Sequence, residues 1–197
     1  MRNAFSNAVT SYFTTRTFSV ERMSAVVLYA YDSETNHRTY LTDSDEYKAI
    51  SLEIKNSNSQ EILHICIDGG IIEHGLWDYV GDGQPHGRCD CMVFSDDKLV
   101  FVELKMNVIT TKDRKIWKIC NDALGQIEDF SNHLKSVFMQ NNDNFVNYYE
   151  KGKSSALVCI KTAPGMAPKR NTQRQTEKDA FTARTDLKVD FRTSIEF

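Results

Sequence analysis

Asp90, Glu103 and Lys105 have the residue types and the spacing that metal-assisted hydrolysis needs. The polar segment 95–98 separates two apolar runs and predicts a tight turn between antiparallel strands. In the register set by that turn, Asp90 lies opposite Glu103, and Lys105 lies on the same face two residues further along. Opposed carboxylates have Cβ atoms about 4.5–5.5 Å apart, and their repulsion destabilises a sheet by a few tenths to about 1 kcal/mol. We therefore expect a cation to compensate this pair.

The expected cation is Mg²⁺ or Mn²⁺. Both ions prefer oxygen ligands, bind through one or two carboxylates and keep coordination positions open for water and phosphate. Lys105 contributes one positive charge of its own. The alternative is an ordinary solvated face on which Lys105 balances the two acids. The strands are otherwise apolar enough to be central in a sheet, and this favours the metal site.

The elements around the hairpin must bury it. One hairpin face is apolar throughout, which predicts that it packs into a core: Cys89, Cys91, Val93, Val100, Val102, Leu104 and Met106. Segment 112–140 predicts a long helix, whose apolar residues recur at spacings of three and four and are expected to cover the hairpin. Gln126 lies at the edge of that stripe, either as a boundary residue or as a group that orients a carboxylate, a water or a phosphate. Segment 155–161 predicts a buried strand that follows the helix in a parallel crossover.

The flanking segments give less specific patterns. Residues 25–31 predict a buried strand. Residues 43–55 fit either a capped helix or a strand, and the alternation over 50–54 and 62–67 favours two strands in a hairpin. Residues 189–197 alternate between apolar and polar side chains and predict an edge strand.

The charge composition limits how the chain could bind a polyanion such as nucleic acid. The 197 residues include 24 Lys and Arg against 27 Asp and Glu, for a net charge of −3. This excludes a uniformly basic nucleic-acid-binding surface, because counterion release requires that phosphates be neutralised by positive charge. Segment 161–188 has seven basic and three acidic residues, a local excess of +4, and 163–186 within it predicts a basic loop or arm. A merely solvated loop is the alternative.

The cysteines and the apolar runs indicate the compartment. Five cysteines without a C-x-x-C pair predict buried thiols in a reducing cytoplasm. No apolar run approaches the roughly 20 residues that cross a bilayer, so no membrane partner is expected. A zinc site is a further alternative, although C-x-C lacks the usual spacing of zinc ligands. Its candidate ligands are Cys89, Cys91, His64, His74 and His86.

Asp90 followed by Glu103-Leu104-Lys105 on adjacent strands, and then by a helix that carries Gln126, resembles the PD-(D/E)XK nuclease superfamily. The resemblance covers residues 60–162. It implies an α/β (α+β) fold of the restriction-endonuclease type, with a mixed central β-sheet flanked by helices. We expect residues 1–197 to form a single nuclease-like domain with an N-terminal segment at 1–24.

The resemblance also implies roles for individual residues. Asp90 and Glu103 would be metal ligands, Leu104 would offer its backbone carbonyl to the metal, and Lys105 would position or help to deprotonate the attacking water. Gln126 resembles the glutamine of a glutamine-x-x-x-tyrosine element in which Phe130 replaces the tyrosine. Cys89 replaces the proline that often precedes the aspartate. Many members have a further upstream acid, for which Asp68 is favoured over Glu73 and Glu53.

The implied activity is that of a Mg²⁺-dependent nuclease that hydrolyses the phosphodiester bonds of nucleic acid, of DNA rather than RNA. An alternative from another class is a non-catalytic binding or regulatory subunit with a nuclease-like fold, within a restriction, repair or defence assembly. The expected partner is nucleic acid. A second copy of the chain and a larger defence or repair complex both remain open as protein partners.

Overall fold

The computed structural model describes residues 19–33, 35, 38–67, 87–96, 98–108, 112–140, 153–161 and 172–197. Its strands are β1 (Val20–Met23), β2 (Val27–Ser33), β3 (Arg38–Thr42), β4 (Ser51–Lys55), β5 (Ile62–Cys66), β6 (Cys91–Phe94), β7 (Leu99–Lys105), β8 (Ser154–Ile160), β9 (Lys188–Phe191) and β10 (Ser194–Glu196). The helices are α1 (Asp113–Gln140), α2 (Thr172–Thr185) and a 3-10 helix (Asp45–Ile50). The predictions for Asp68, Glu73, His74, His86, residues 1–18 and residues 162–171 fall outside the described residues.

The strands form two mixed sheets, which makes the fold α+β. The larger sheet has the spatial order β1-β5-β6-β7-β8-β9. The neighbouring pairs β1–β5, β5–β6 and β6–β7 are antiparallel, whereas the pairs β7–β8 and β8–β9 are parallel. The smaller sheet has the order β10-β4-β2-β3. The hairpin of β6 and β7 therefore lies in the middle of the larger sheet, as its apolar sequence predicts.

Helix α1 covers one face of the larger sheet. Its apolar residues Ile127, Phe130 and Leu134 are buried in the core on that face. The ring of Phe130 meets that of Phe101 in β7 edge to face, with 6.1 Å between the centroids. Helix α2 joins the same core through Phe181. The predicted crossover is confirmed, because α1 leads from β7 to a β8 strand that is parallel to it.

The smaller sheet covers the opposite face. The hairpin residues Val93, Val100 and Val102 pack there into one core with Leu28 and Leu52 of the smaller sheet. Within the described ranges the helices therefore flank the central sheet on one face only, and a second sheet replaces them on the other. The reason is that β2 and β4 are antiparallel strands with one apolar face, which must also be buried.

Several predictions of local structure are wrong. Strands β4 and β5 were expected to form a hairpin, but they belong to different sheets. Residues 189–197 form two short edge strands, β9 and β10, in different sheets rather than one strand. Part of the predicted basic loop forms helix α2, and part of the N-terminal segment forms edge strand β1. For 43–55 both alternatives hold in part, since the 3-10 helix precedes β4.

Side chains of the larger sheet close the outer edge of β3. The Leu41 N–H donates to Glu21 Oε2 at 2.7 Å, and the Thr39 N–H donates to Cys66 Sγ at 3.4 Å. The same Glu21 oxygen lies 2.8 Å from Nδ1 of His64, whose side chain is fully buried. Thr39 Oγ1 also reaches the backbone carbonyl of Asp90, at 3.4 Å. These contacts connect the two sheets directly beside the β6–β7 hairpin.

Two further expectations concern the cysteines and the bilayer. All five cysteines are buried as free thiols, as the sequence predicts. Among the described residues, no helix combines the length and the apolar character that crossing a bilayer requires.

Candidate functional site

The predicted hairpin register is confirmed. Phe94 pairs with Leu99, and the ladder continues without a break to Cys91 opposite Val102. Asp90 follows immediately and approaches β7, as the register requires. Sequence reasoning had placed Cys89 on the same face as Cys91, but Cys89 packs into the helix-side core. The strand begins only at Cys91, so side-chain alternation does not extend back to Cys89.

Asp90 and Glu103 hold each other through reciprocal backbone contacts. The Asp90 N–H donates to Glu103 Oε2 at 3.1 Å. The Leu104 N–H, which follows Glu103, donates to Asp90 Oδ2 at 2.5 Å. Each carboxylate thus accepts a hydrogen bond from the backbone beside the other. This arrangement fixes both side chains at the end of the central hairpin.

Neighbouring strands position the backbone of Asp90. Its carbonyl accepts a hydrogen bond from the Ile67 N–H at 2.9 Å, which extends the pairing of β5 with β6 by one residue. The contact from Thr39 reaches the same carbonyl from the smaller sheet. Asp90 is therefore anchored by β5, β7 and β3 although it lies outside a strand.

Glu103 is a fully buried acid, with 0% of its surface exposed. Its Oε1 lies 2.5 Å from Nζ of Lys105, whose side chain is 28% exposed. The pKa of Glu103 is raised from 4.5 to about 8, because burial and then the charge of Asp90 raise it by more than Lys105 and the Asp90 N–H lower it. The balance of these effects means that the local positive charge does not fully offset the desolvation and the like charge. A bound cation would offset both.

Gln126 lies on the stretch of α1 that meets the chain leading into Asp90. Its side chain is partly buried, as expected for the edge of the apolar stripe. The backbone of Gly87 packs against it, so that a Cβ added at Gly87 would lie 2.8 Å from the Gln126 Cα. The Gly87 N–H also donates to Asp129 Oδ2 at 3.1 Å. Phe130, by contrast, is a core residue.

Gly87 and Asp129 are site-supporting residues that sequence reasoning missed. A glycine at the end of the polar segment 81–87 was a signal for close approach of two backbones, but the sequence alone does not identify the other backbone. The contacts of Gly87 with helix α1 fix the start of the segment that leads to Asp90.

We expect Gly87→Ala to destabilise the fold by about 1–3 kcal/mol, because the added Cβ would meet helix backbone rather than a flexible side chain. Thermal unfolding measures this effect. Asp129→Ala removes the hydrogen bond without adding an atom and is expected to cost less, about 0.5–1.5 kcal/mol. A Gly87→Ala protein as stable as the unsubstituted chain would contradict the close approach.

Glu53, Asp68 and Glu73 are the residues predicted as a further, upstream acid of the site. Glu53 lies between the buried Leu52 and Ile54 in β4, so its side chain points to the outer face of the smaller sheet. There the ammonium groups of Lys48 and Lys55 lie 3.7 and 4.0 Å from its carboxylate. It is therefore not a ligand of the site. Asp68 and Glu73 are outside the described residues, so the upstream acid stays a prediction.

The zinc alternative finds no support in the described ranges. There, no group of three or more His, Cys, Asp and Glu side chains is placed to hold a metal ion. Cys89 and Cys91 pack into cores on opposite faces, and His64 faces Glu21. His74 and His86 lie outside those ranges.

The residues present do fit Mg²⁺ or Mn²⁺. These ions commonly use one or two protein carboxylates and take their remaining ligands from water and phosphate, so a third protein side chain is not required. Asp90 and Glu103 supply two carboxylates on fixed backbone. Burial and the charge of Asp90 raise the pKa of Glu103, and a bound cation would favour its ionised form.

Comparisons with protein-family models, with curated proteins and with solved structures found no match to this chain.

Proposed function

We propose that the chain is a Mg²⁺-dependent nuclease of the PD-(D/E)XK type, which hydrolyses phosphodiester bonds of nucleic acid, with DNA as the expected substrate. One observation carries the proposal: Asp90 and Glu103 are locked together at the end of the central hairpin, and Lys105 contacts Glu103. A buried acid beside a second acid is costly unless a cation compensates the pair, and carboxyl groups with perturbed pKa values cluster at functional sites.

In this proposal Asp90, Glu103 and the carbonyl of Leu104 hold the metal. The ion, when bound, supplies Lewis-acid stabilisation of the negative charge that develops on the phosphate. Lys105 is partly exposed, so it can contact both the attacking water and a phosphate oxygen. In its charged form it orients the water and stabilises the developing charge, and in its neutral form it accepts the proton of the water. Gln126 orients a water or a phosphate from α1.

Part of the positive charge of 161–188 is already engaged within the protein. Arg184 already forms a forked pair with Glu128, at 2.6 and 2.7 Å, and Lys178 lies 4.7 Å from the ring centroid of Phe191. These groups serve the packing of α2. Nucleic-acid affinity is therefore expected to be modest and metal-assisted. Free, buried thiols fit a cytoplasmic site of action.

Lys105 variants test the proposal. We expect Lys105→Met to reduce Mg²⁺-dependent cleavage at least about 10²-fold, because it removes a partly exposed positive charge that pairs with Glu103 and that a substrate can also reach. Lys105→Arg distinguishes the two roles of the lysine. Arginine stays protonated, so activity well above that of Lys105→Met indicates electrostatic stabilisation rather than proton abstraction. The measurement is cleavage of labelled single-stranded and duplex DNA with Mg²⁺ and with EDTA.

Lys55→Met is the matched control, because Lys55 is an exposed lysine of the smaller sheet that pairs with Glu53. It should cleave as the unsubstituted chain does. Full cleavage by Lys105→Met would refute the proposed role.

A non-catalytic binding or regulatory subunit with a nuclease-like fold is the second candidate. It is favoured by the net charge of −3, which excludes a uniformly basic nucleic-acid-binding surface. Calorimetric titration with Mg²⁺ or Mn²⁺ distinguishes the two, since a degenerate site has no metal binding that depends on Asp90 and Glu103.

A further inference from the structure

The first two turns of helix α1 carry a basic surface. This α1 basic surface consists of the exposed side chains of Arg114, Lys115 and Lys118. Asp113 is the only acid in the sequence from 113 to 118. None of the three basic side chains takes part in an ion pair within the described ranges. The basic groups of α2 described above differ from them, because those groups are already engaged.

The position of this charge does not serve the stability of α1. The N-terminus of a helix is the positive end of its dipole, so cations are disfavoured there and favoured in the last turn. The last turn of α1 has no basic residue. Arg114 and Lys118 are also four residues apart, so they repel each other on the helix surface. An anionic partner would offset both effects, and it therefore explains the α1 basic surface better than helix stability does.

Strand pairing locates the α1 basic surface relative to the candidate site. Glu103 in β7 pairs with Val158 in β8, and Val158 pairs with Phe191 in β9. Paired residues share one face of a sheet, and Val158 packs into the core on the face that α1 covers. Neighbouring strands are about 4.8 Å apart, so the Cα of Phe191 lies about 10 Å from that of Glu103. The ring centroids of Trp117 and Phe191 are 5.8 Å apart. The first turns of α1 are therefore two strands away from Glu103, on the same face of the sheet.

The three basic side chains form a track that begins on the side of the site. At 3.6 residues per turn, Lys115 lies on the same edge of α1 as Gln126. Gly87, at the start of the segment that leads to the site, packs against Gln126. Lys118 and then Arg114 follow across the outer face of the helix. A chain of phosphates that leaves the site along this edge would meet the three positive charges in turn.

We propose that the α1 basic surface binds the phosphate backbone of nucleic acid, on the stretch of strand next to the scissile phosphate. The inference rests on the proposed function, to which it adds the substrate-binding surface. Positive side chains that neutralise phosphates release counterions, and contacts to phosphate position a strand without reading its bases. Binding through this surface is therefore steeply dependent on salt and independent of sequence.

The test measures binding without cleavage, by fluorescence anisotropy in EDTA. The full-length chain is titrated with a labelled single strand of thymines at several KCl concentrations from about 50 to 200 mM. The α1 variant carries Arg114→Gln, Lys115→Gln and Lys118→Gln together, which removes the charges and keeps good helix formers. Each phosphate contact of a single strand contributes about 0.7 to the slope of log K against log salt, so the slope should become shallower by about 2. The affinity at the lowest salt should fall at least about tenfold.

The matched control carries Arg22→Gln, Lys48→Gln and Lys55→Gln together. It removes one arginine and two lysines, as the α1 variant does, from exposed or partly exposed side chains on other surfaces. Arg22 lies in edge strand β1, and Lys48 and Lys55 lie beside Glu53 on the outer face of the smaller sheet. Both variants have the same net charge, so the comparison separates the position of the charge from its amount. The slope and the affinity of the control should match those of the unsubstituted chain.

An unchanged slope in the α1 variant overturns the inference, as does an equal loss in both variants or no binding by the unsubstituted chain. The proposed function is judged separately, by Mg²⁺-dependent cleavage of single-stranded and duplex DNA by the unsubstituted chain. Salt-dependent binding that needs the α1 basic surface, without such cleavage, supports the surface and refutes the nuclease. Mg²⁺-dependent cleavage together with an unchanged slope in the α1 variant does the reverse.

Discussion

Glu103→Gln and Asp90→Asn should each reduce Mg²⁺-dependent cleavage by at least about 10²–10³-fold while leaving the fold intact. Both substitutions keep an oxygen that can accept the backbone hydrogen bond seen in the structure, from the Asp90 N–H in one case and the Leu104 N–H in the other. They remove the negative charge that holds a divalent ion. The measurements are initial cleavage rates at saturating Mg²⁺, with circular dichroism to verify folding.

Glu53→Gln is the matched control for these variants. It makes the same chemical change on the outer face of the smaller sheet, where Glu53 pairs with Lys48. Its cleavage rate should equal that of the unsubstituted chain. Cleavage that survives Glu103→Gln would refute the assignment of Asp90 and Glu103 as metal ligands. Loss of cleavage in Glu53→Gln would show that the control had disturbed the site indirectly.

The metal-free protein is expected to lose stability as the pH rises from about 4.5 to 8. The pKa of Glu103 is raised in the folded state to about 8, so in this window the unfolded chain releases a proton that the folded chain retains. The folded state is therefore favoured at low pH and penalised at high pH. Asp90 is the acid that opposes ionisation of Glu103, and Lys105 is the base that assists it. Cys89 stays neutral, because burial raises its pKa.

Glu103→Gln tests this dependence, because glutamine imitates the neutral acid at every pH. In EDTA the variant should match the unsubstituted chain near pH 5 and exceed it near pH 8.5 by about 2–4 kcal/mol, or several degrees in Tm. A difference in Tm that is constant from pH 5 to 9 would contradict the raised pKa.

Metal binding provides a second measurement of the same group. A ligand carboxyl must be ionised, so Mg²⁺ binding at pH 7 should release close to one proton and should weaken as the pH falls. Calorimetry in buffers of different ionisation enthalpy reports that proton count.

The central part of the fold could be predicted because its signals are local. The turn at 95–98 and the alternation beside it set the register of β6 and β7, and that register brought Asp90 to Glu103. The periodicity of 112–140 located α1 to within one residue, and the right-handed crossover rule then made β8 parallel to β7.

The errors in strand pairing have a common physical origin, which is that alternation identifies a buried face but not the strand that pairs beside it. This is why β4 and β5 were expected to pair, and why the change of sheet between β9 and β10 was missed. Helix α2 was missed because its burial depends on one large apolar residue, Phe181, within a polar sequence. The contact between Gly87 and Gln126 is long-range and has no periodic signature.

Within the four-stranded sheet, β3 is an edge strand, and bare edges invite pairing with strands of other molecules. Here the N–H groups of Thr39 and Leu41 are already engaged by Cys66 and Glu21. An incoming strand would have to displace a buried thiol and a carboxylate that His64 also contacts before it could form its first hydrogen bonds. The contacts that join the two sheets thereby also protect this edge against intermolecular strand addition, the first step of amyloid-like assembly.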